Sequence, residues 1–111
     1  MTSREPRELL EDILVSARLA RQYVDGLDFA KFEADVQTQD SVVHRLELIG
    51  EAVGKLPDAA MAAIPGIPWS QIRGMRNLLA HQYWDVDLRR VWAVVRDDLP
   101  PLLAAIEAHH P

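Results

Sequence analysis

The chain has 111 residues, enough to enclose one hydrophobic core and too few for two ordinary domains, so a single domain spanning residues 1–111 is expected. It contains no cysteine, which excludes a disulfide scaffold and a thiolate metal site and suits a reducing cytoplasm. Its net charge of −5 argues against a protein that coats nucleic acid with a broad basic surface, so any contact of that kind must be local.

The N-terminus runs directly into an amphipathic pattern, with no signal peptide visible, and no uncharged apolar run approaches the roughly 18 to 20 residues of a membrane span. A soluble protein is expected. From Pro6 to about Val24, the residues Leu10, Ile13, Leu14, Ala17 and Val24 recur at helical spacing, and Asp25-Gly26 ends this first long helix. Asp28 is placed to cap a short helical piece carrying Phe29 and Phe32. A second cap, at Thr38 or Asp40, opens a longer helix with Val42, Leu46, Ile49, Val53 and Leu56 on one stripe, expected to lie antiparallel to the first. Within it Gly50 and Gly54 each weaken an isolated helix by up to ~1 kcal/mol relative to alanine, so their expected use is close approach by a neighbouring helix. Pro57 to Pro68 forms a proline-punctuated connection with room for a short helix at Asp58 to Ala63.

The next helix, with Ser70 as its expected cap, carries Arg76-Asn77-Leu78-Leu79-Ala80-His81-Gln82-Tyr83. On a helical wheel Ile72, Met75, Leu78, Leu79 and Gln82 form the core-facing stripe. Asn77 and His81, four apart, meet on one face, whereas Arg76 shares the edge of the apolar stripe with Tyr83 and stands roughly 140° from His81. That angle points to a homodimer in which two copies of the helix face each other across a shared site. An always-charged guanidinium at Arg76 suits a phosphate or a developing phosphorane, and an imidazole at His81 suits proton transfer to and from ribose and leaving-group oxygens. Together they point to RNA cleavage without a metal. Asn77 is placed to orient the imidazole or bind a phosphate oxygen, and Arg73 to add affinity for the RNA backbone.

After Asp85-Val86-Asp87 the last helix carries Leu88, Val91, Trp92, Val95 and Leu99, and Pro100-Pro101 interrupts it before Leu102, Leu103 and Ile106. With no alternating strand pattern, the expected class is all-α, an antiparallel bundle of four main helices plus short connecting helices. No H-x-x-x-H or paired-aspartate pattern supports a metal site, and no cofactor motif is present.

The octapeptide from Arg76 to Tyr83 resembles the R-x4-H-x-Y signature of HepT-like HEPN ribonuclease toxins. Thr38 to Val42 and Leu46 to Ala52, Ile67 to Met75, and Val86-Asp87-Leu88 with Val91-Trp92 and Asp98-Leu99-Pro100 also resemble the family, in order, over roughly residues 8 to 106. The resemblance implies a HEPN bundle and a cytoplasmic endoribonuclease toxin of a type VII-like toxin–antitoxin pair, leaving a 2′,3′-cyclic phosphate. It makes Arg76 and His81 the catalytic pair. It also sets the second long helix along the cleft, where Arg45 or Glu51 would orient them. A minimal nucleotidyltransferase antitoxin is implied as partner, transferring AMP onto Tyr83 and so switching the toxin off. The alternative reading is a non-catalytic helical companion of such a nucleotidyltransferase, which helps to bind its substrate.

Overall fold

Capping chemistry sets most of the helix boundaries. The computed structural model describes residues 4–80 and 87–109, and for 75–80 the backbone alone. Helix α1 spans Pro6–Val24 and starts on a proline, whose missing N–H is not needed in a first turn; it stops at Asp25, and Gly26 turns the chain with φ +79°. Asp28 caps α2 (Phe29–Glu33) as expected, its carboxylate accepting from the Lys31 N–H at 2.9 Å. Helix α3 (Val36–Lys55) begins earlier than expected: Asp35, and neither Thr38 nor Asp40, is the cap. The Asp35 carboxylate accepts from Thr38 Oγ1 at 2.7 Å and from the Thr38 N–H at 3.1 Å. The hydroxyl bond first, and then the backbone bond, hold the Asp35 carboxyl below its ordinary pKa.

Helix α4 (Asp58–Ala62) is the short piece expected in the connection, one residue shorter. Gly66, at φ +87°, then turns the chain into Ile67-Pro68, and α5 follows as Trp69–Ala80. Ser70 lies inside α5 and is not its cap. The Pro68 carbonyl starts the helix by accepting from the Gln71 and Ile72 N–H groups at 3.1 Å each. Asp87 caps α6 (Leu88–Ala93) by accepting from Arg89 and Arg90 N–H at 3.1 and 3.2 Å.

From α6 the chain passes through a π-helical turn, Val94–Asp98, into α7 (Leu99–His109). The interruption expected at Pro100-Pro101 therefore takes the form of a widened turn just before them, in which the Leu99 N–H bonds to the Val94 carbonyl. In that widened register the Val95 carbonyl faces Pro100, which has no N–H to give it. The guanidinium of Arg21 on α1 takes its place, with Nη1 donating to Val95 O at 3.3 Å. Arg21→Met keeps the aliphatic stem and removes this donor. We expect it to lower stability by about 1 kcal/mol, measured as an earlier urea midpoint with an unchanged slope; an unshifted midpoint would show that the carbonyl is satisfied without Arg21.

The helices assemble around α1, which packs on α3 and α7, while α3 also holds α5. Leu9, Asp12 and Ser16 near the start of α1 share a groove with Leu48, Ala52 and Lys55 near the end of α3, so these two helices run antiparallel as expected. The contacts Arg18–Glu107, at 2.9 Å, and Arg21–Val95 give the run from the π-helical turn through α7 the same opposed direction against α1. Ile13, Leu14, Phe32, Leu46, Ile49, Val53, Val91, Val95, Leu99 and Ile106 are fully buried between them. Gly50 is buried, in keeping with a close seam, whereas Gly54 faces solvent. Phe29 and Phe32 meet Trp92 at ring-centroid distances of 6.2 and 5.2 Å and fasten α2 to α6, and the Arg89 guanidinium covers Phe29 at 4.2 Å. The described residues form an all-α bundle of four main helices, α6 and α7 counting as one, with α2 and α4 as short connecting helices.

Candidate functional site

The start of α5 is anchored on both sides. Trp69 Nε1 donates to the Met61 carbonyl at 3.0 Å and ties the helix to α4, while Ile72 is buried against the core. Arg73, on the next turn, is exposed, with Nη2 lying 3.5 Å from Met61 Sδ. The helix continues unbroken to Ala80, so its backbone carries Arg76 and Asn77, and Asn77 stands one turn beyond Arg73. The side chains of Arg76 and Asn77, and the whole of His81 and Tyr83, lie outside the described residues.

Arg45 and Glu51 come together on α3. Both line a groove of about 310 Å³ whose opposite wall is α1, with Asp12 and Val15, and Arg4 just ahead of that helix. Four of the charges in this groove are paired: Lys55 Nζ lies 3.2 Å from Glu51 Oε1, and Arg4 bonds to Asp12 and, outside the groove, to Glu8 at 3.4 Å. The hydrogen bond to Asp12 contributes most to raising the Arg4 pKa above its already high ordinary value. Arg73 is not part of this groove, so the supporting cations proposed from the sequence occupy two separate places.

A second and larger cavity, about 430 Å³, opens between the start of α5 and the last helix. Its α5 side is Gly66, Ile67, Pro68, Gln71 and Ile72. Its far wall is Arg90 and Ala93, then Val94, Asp97 and Asp98 of the π-turn, then Leu99, Pro101 and Leu102. Two irregular stretches of backbone thus shape it, the left-handed turn at Gly66 and the wide turn ahead of Pro100. Sequence reasoning missed Gln71, Arg90, Asp97 and Asp98 as members of a site. The available signal was the proline pair, which requires a distorted turn directly before it. Among the described residues no group of three or more histidines and carboxylates is positioned to hold a metal ion, and no helix is long and apolar enough to cross a membrane.

Comparison with known proteins covers nearly the whole of this architecture. The family described as Ribonuclease HepT-like matches residues 13–109, from the middle of α1 to the end of α7. The chain is 36% identical over 104 residues to "Probable ribonuclease HepT" of Thermococcus cleftensis, covering 94% of each chain. It is 30% identical over 107 residues to "Putative RNase MJ1380" of Methanocaldococcus jannaschii, covering 96% of this chain and 98% of that protein. A third relative, "Putative RNase TTE0752" of Caldanaerobacter subterraneus, is 36% identical over 97 residues and 87% of each chain. No solved structure matches the chain significantly.

Proposed function

This chain belongs to the HepT-like ribonuclease family and is an endoribonuclease, and from that premise we propose that it cuts RNA without a metal, in the cytoplasm, as the toxin of a toxin–antitoxin pair. The observation that carries the reading is the run of α5. One unbroken helix leads from the Pro68 cap through Arg73, Arg76 and Asn77 to the residue before His81, inside the stretch that matches the family.

His81 removes the proton from a ribose 2′-hydroxyl. The 2′ oxygen attacks the adjacent phosphorus, the P–O5′ bond breaks, and the departing 5′ oxygen takes a proton from an imidazolium, leaving a 2′,3′-cyclic phosphate and a 5′-hydroxyl. Arg76 neutralises the charge that builds on the non-bridging oxygens between these two events. Asn77 holds the imidazole or a phosphate oxygen, and Arg73, exposed at the α4 side of α5, adds affinity for the RNA backbone. Arg45 and Glu51 act as supporting residues from α3, the helix on which α5 packs.

The functional unit is a homodimer, supported by the angle of roughly 140° between Arg76 and His81 on a regular helix. Mixing inactive Arg76→Ala protein with inactive His81→Ala protein tests it. Each shared site takes its arginine and its histidine from different subunits, so a heterodimer keeps one intact site and part of the activity returns. A mixture as inactive as its components, or a monomer by light scattering at micromolar concentration, refutes the shared site.

A further inference from the structure

The cavity between α5 and the last helix has features that the catalytic pair does not account for. At about 430 Å³ it falls within the roughly 300 to 1,000 Å³ typical of small-molecule sites. Ile67, Pro68, Ile72, Val94 and Leu99 give it apolar walls, and its polar groups are few and of distinct kinds. Gln71 offers an amide, Arg90 a guanidinium, and Asp97 and Asp98 offer carboxylates that can only accept. Arg90, Asp97 and Asp98 enter none of the ion pairs found among the described residues, in contrast to Arg4, Arg18 and Lys55, which are paired. The π-turn brings Val94, Asp97, Asp98 and Leu99 to the wall together, and turns of this type occur often at functional sites.

The position along α5 links this cavity to the chemistry. Ile72 lines it, and Arg76 follows one turn later on the same helix. Building on the ribonuclease reading, we propose that the cavity receives an unpaired base of the RNA next to the cut and that its rim selects guanine. The Watson–Crick edge of guanine presents one acceptor, O6, beside two donors, N1–H and the N2 amino group. A carboxylate of Asp97 or Asp98 accepts from both donors, while the Gln71 amide or the Arg90 guanidinium donates to O6. Uracil and cytosine each offer that carboxylate a single donor group and set their remaining acceptors against it, and adenine offers only its N6 amino group. The apolar walls pack against the flat base, as single-stranded RNA sites commonly do with splayed nucleotides.

The test compares cleavage positions rather than rates. Mixed-sequence RNA is digested by wild type and by the Asp97→Asn/Asp98→Asn double variant, in which each carboxylate gains a donor without changing shape. Wild type is expected to cut beside guanine about tenfold more often than beside other bases, and the double variant to lose that ratio. Identical base distributions would overturn the proposal. If wild type cuts no RNA, the ribonuclease reading fails and the subsite is judged by photocrosslinking of a 6-thioguanosine oligonucleotide to His81→Ala protein. Adducts within residues 66–72 or 90–102 support it; adducts elsewhere, or equal yields with 4-thiouridine, overturn it. Ala93→Trp, which fills the cavity from an exposed position, is expected to abolish both the crosslink and the guanine ratio with the oligomeric state unchanged. A change of oligomeric state with the guanine ratio intact would instead make the cavity a contact between copies of the chain.

Discussion

His81→Ala protein is expected to cleave RNA ~100-fold to 10,000-fold more slowly than wild type in the presence of a chelator, with Arg76→Ala affected as strongly. The two substitutions remove different things. Without the imidazole the 2′-hydroxyl has no positioned base and the 5′ oxygen no positioned acid, so both proton transfers fall to water. Without the guanidinium the proton transfers remain, but the charge on the phosphorane is met only by solvent. The distinction is measurable. The pH–rate profile of wild type should carry the titration of His81, residual activity in His81→Ala should lose that inflection, and residual activity in Arg76→Ala should keep it. End mapping should find 2′,3′-cyclic phosphates in each case where cleavage persists. Equal cleavage by wild type and both variants would assign the activity to a contaminant and favour a non-catalytic helical companion of a nucleotidyltransferase.

The stripes that bury α1, α3 and the last helix were legible in the sequence because apolar spacing alone specifies them: Ile13, Leu14, Leu46, Ile49, Val95 and Leu99 all reach the core. The cap of α2 was legible, because Asp28 alone precedes its short apolar stripe. At α3 the sequence offered Thr38 and Asp40, and the cap is Asp35, whose choice depends on a bond to both the hydroxyl and the N–H of Thr38. At α5 the cap is a main-chain carbonyl, Pro68 O, which leaves no side-chain signature to find.

The same limit governs the candidate site. That Arg73, Arg76 and Asn77 share one helix was readable, because local periodicity follows from the sequence alone. The larger cavity was not readable, because its two walls are separated by some twenty residues of chain and meet only through packing. Arg21 shows this most plainly. The proline pair announces a broken hydrogen-bond ladder, but the donor that repairs it stands 74 residues earlier in the chain. What the sequence signals is the need for a partner; which partner answers is decided by the fold.

Modification of Tyr83 is expected to abolish RNA cleavage as completely as loss of a catalytic side chain. Tyr83 stands two residues beyond His81 and seven beyond Arg76, on the same edge of an ideal helix as the arginine. An AMP group on its hydroxyl brings a phosphodiester with a fixed negative charge, and further AMP groups add one each. Charge of that sign near Arg76 competes for the guanidinium that the scissile phosphate requires, and the bulk of the nucleotide occupies the path of the RNA strand. Protein treated with ATP and a minimal nucleotidyltransferase partner should therefore gain mass in steps of AMP, with peptide mapping placing the adduct on Tyr83, and its cleavage rate should fall with the modified fraction. Tyr83→Phe keeps Arg76 and His81, so it should cleave RNA while escaping the partner, and cells expressing both proteins should be protected from wild type but not from this variant. An adduct on another residue, or full activity in a stoichiometrically modified sample, would leave Tyr83 a packing residue and require a different route of control.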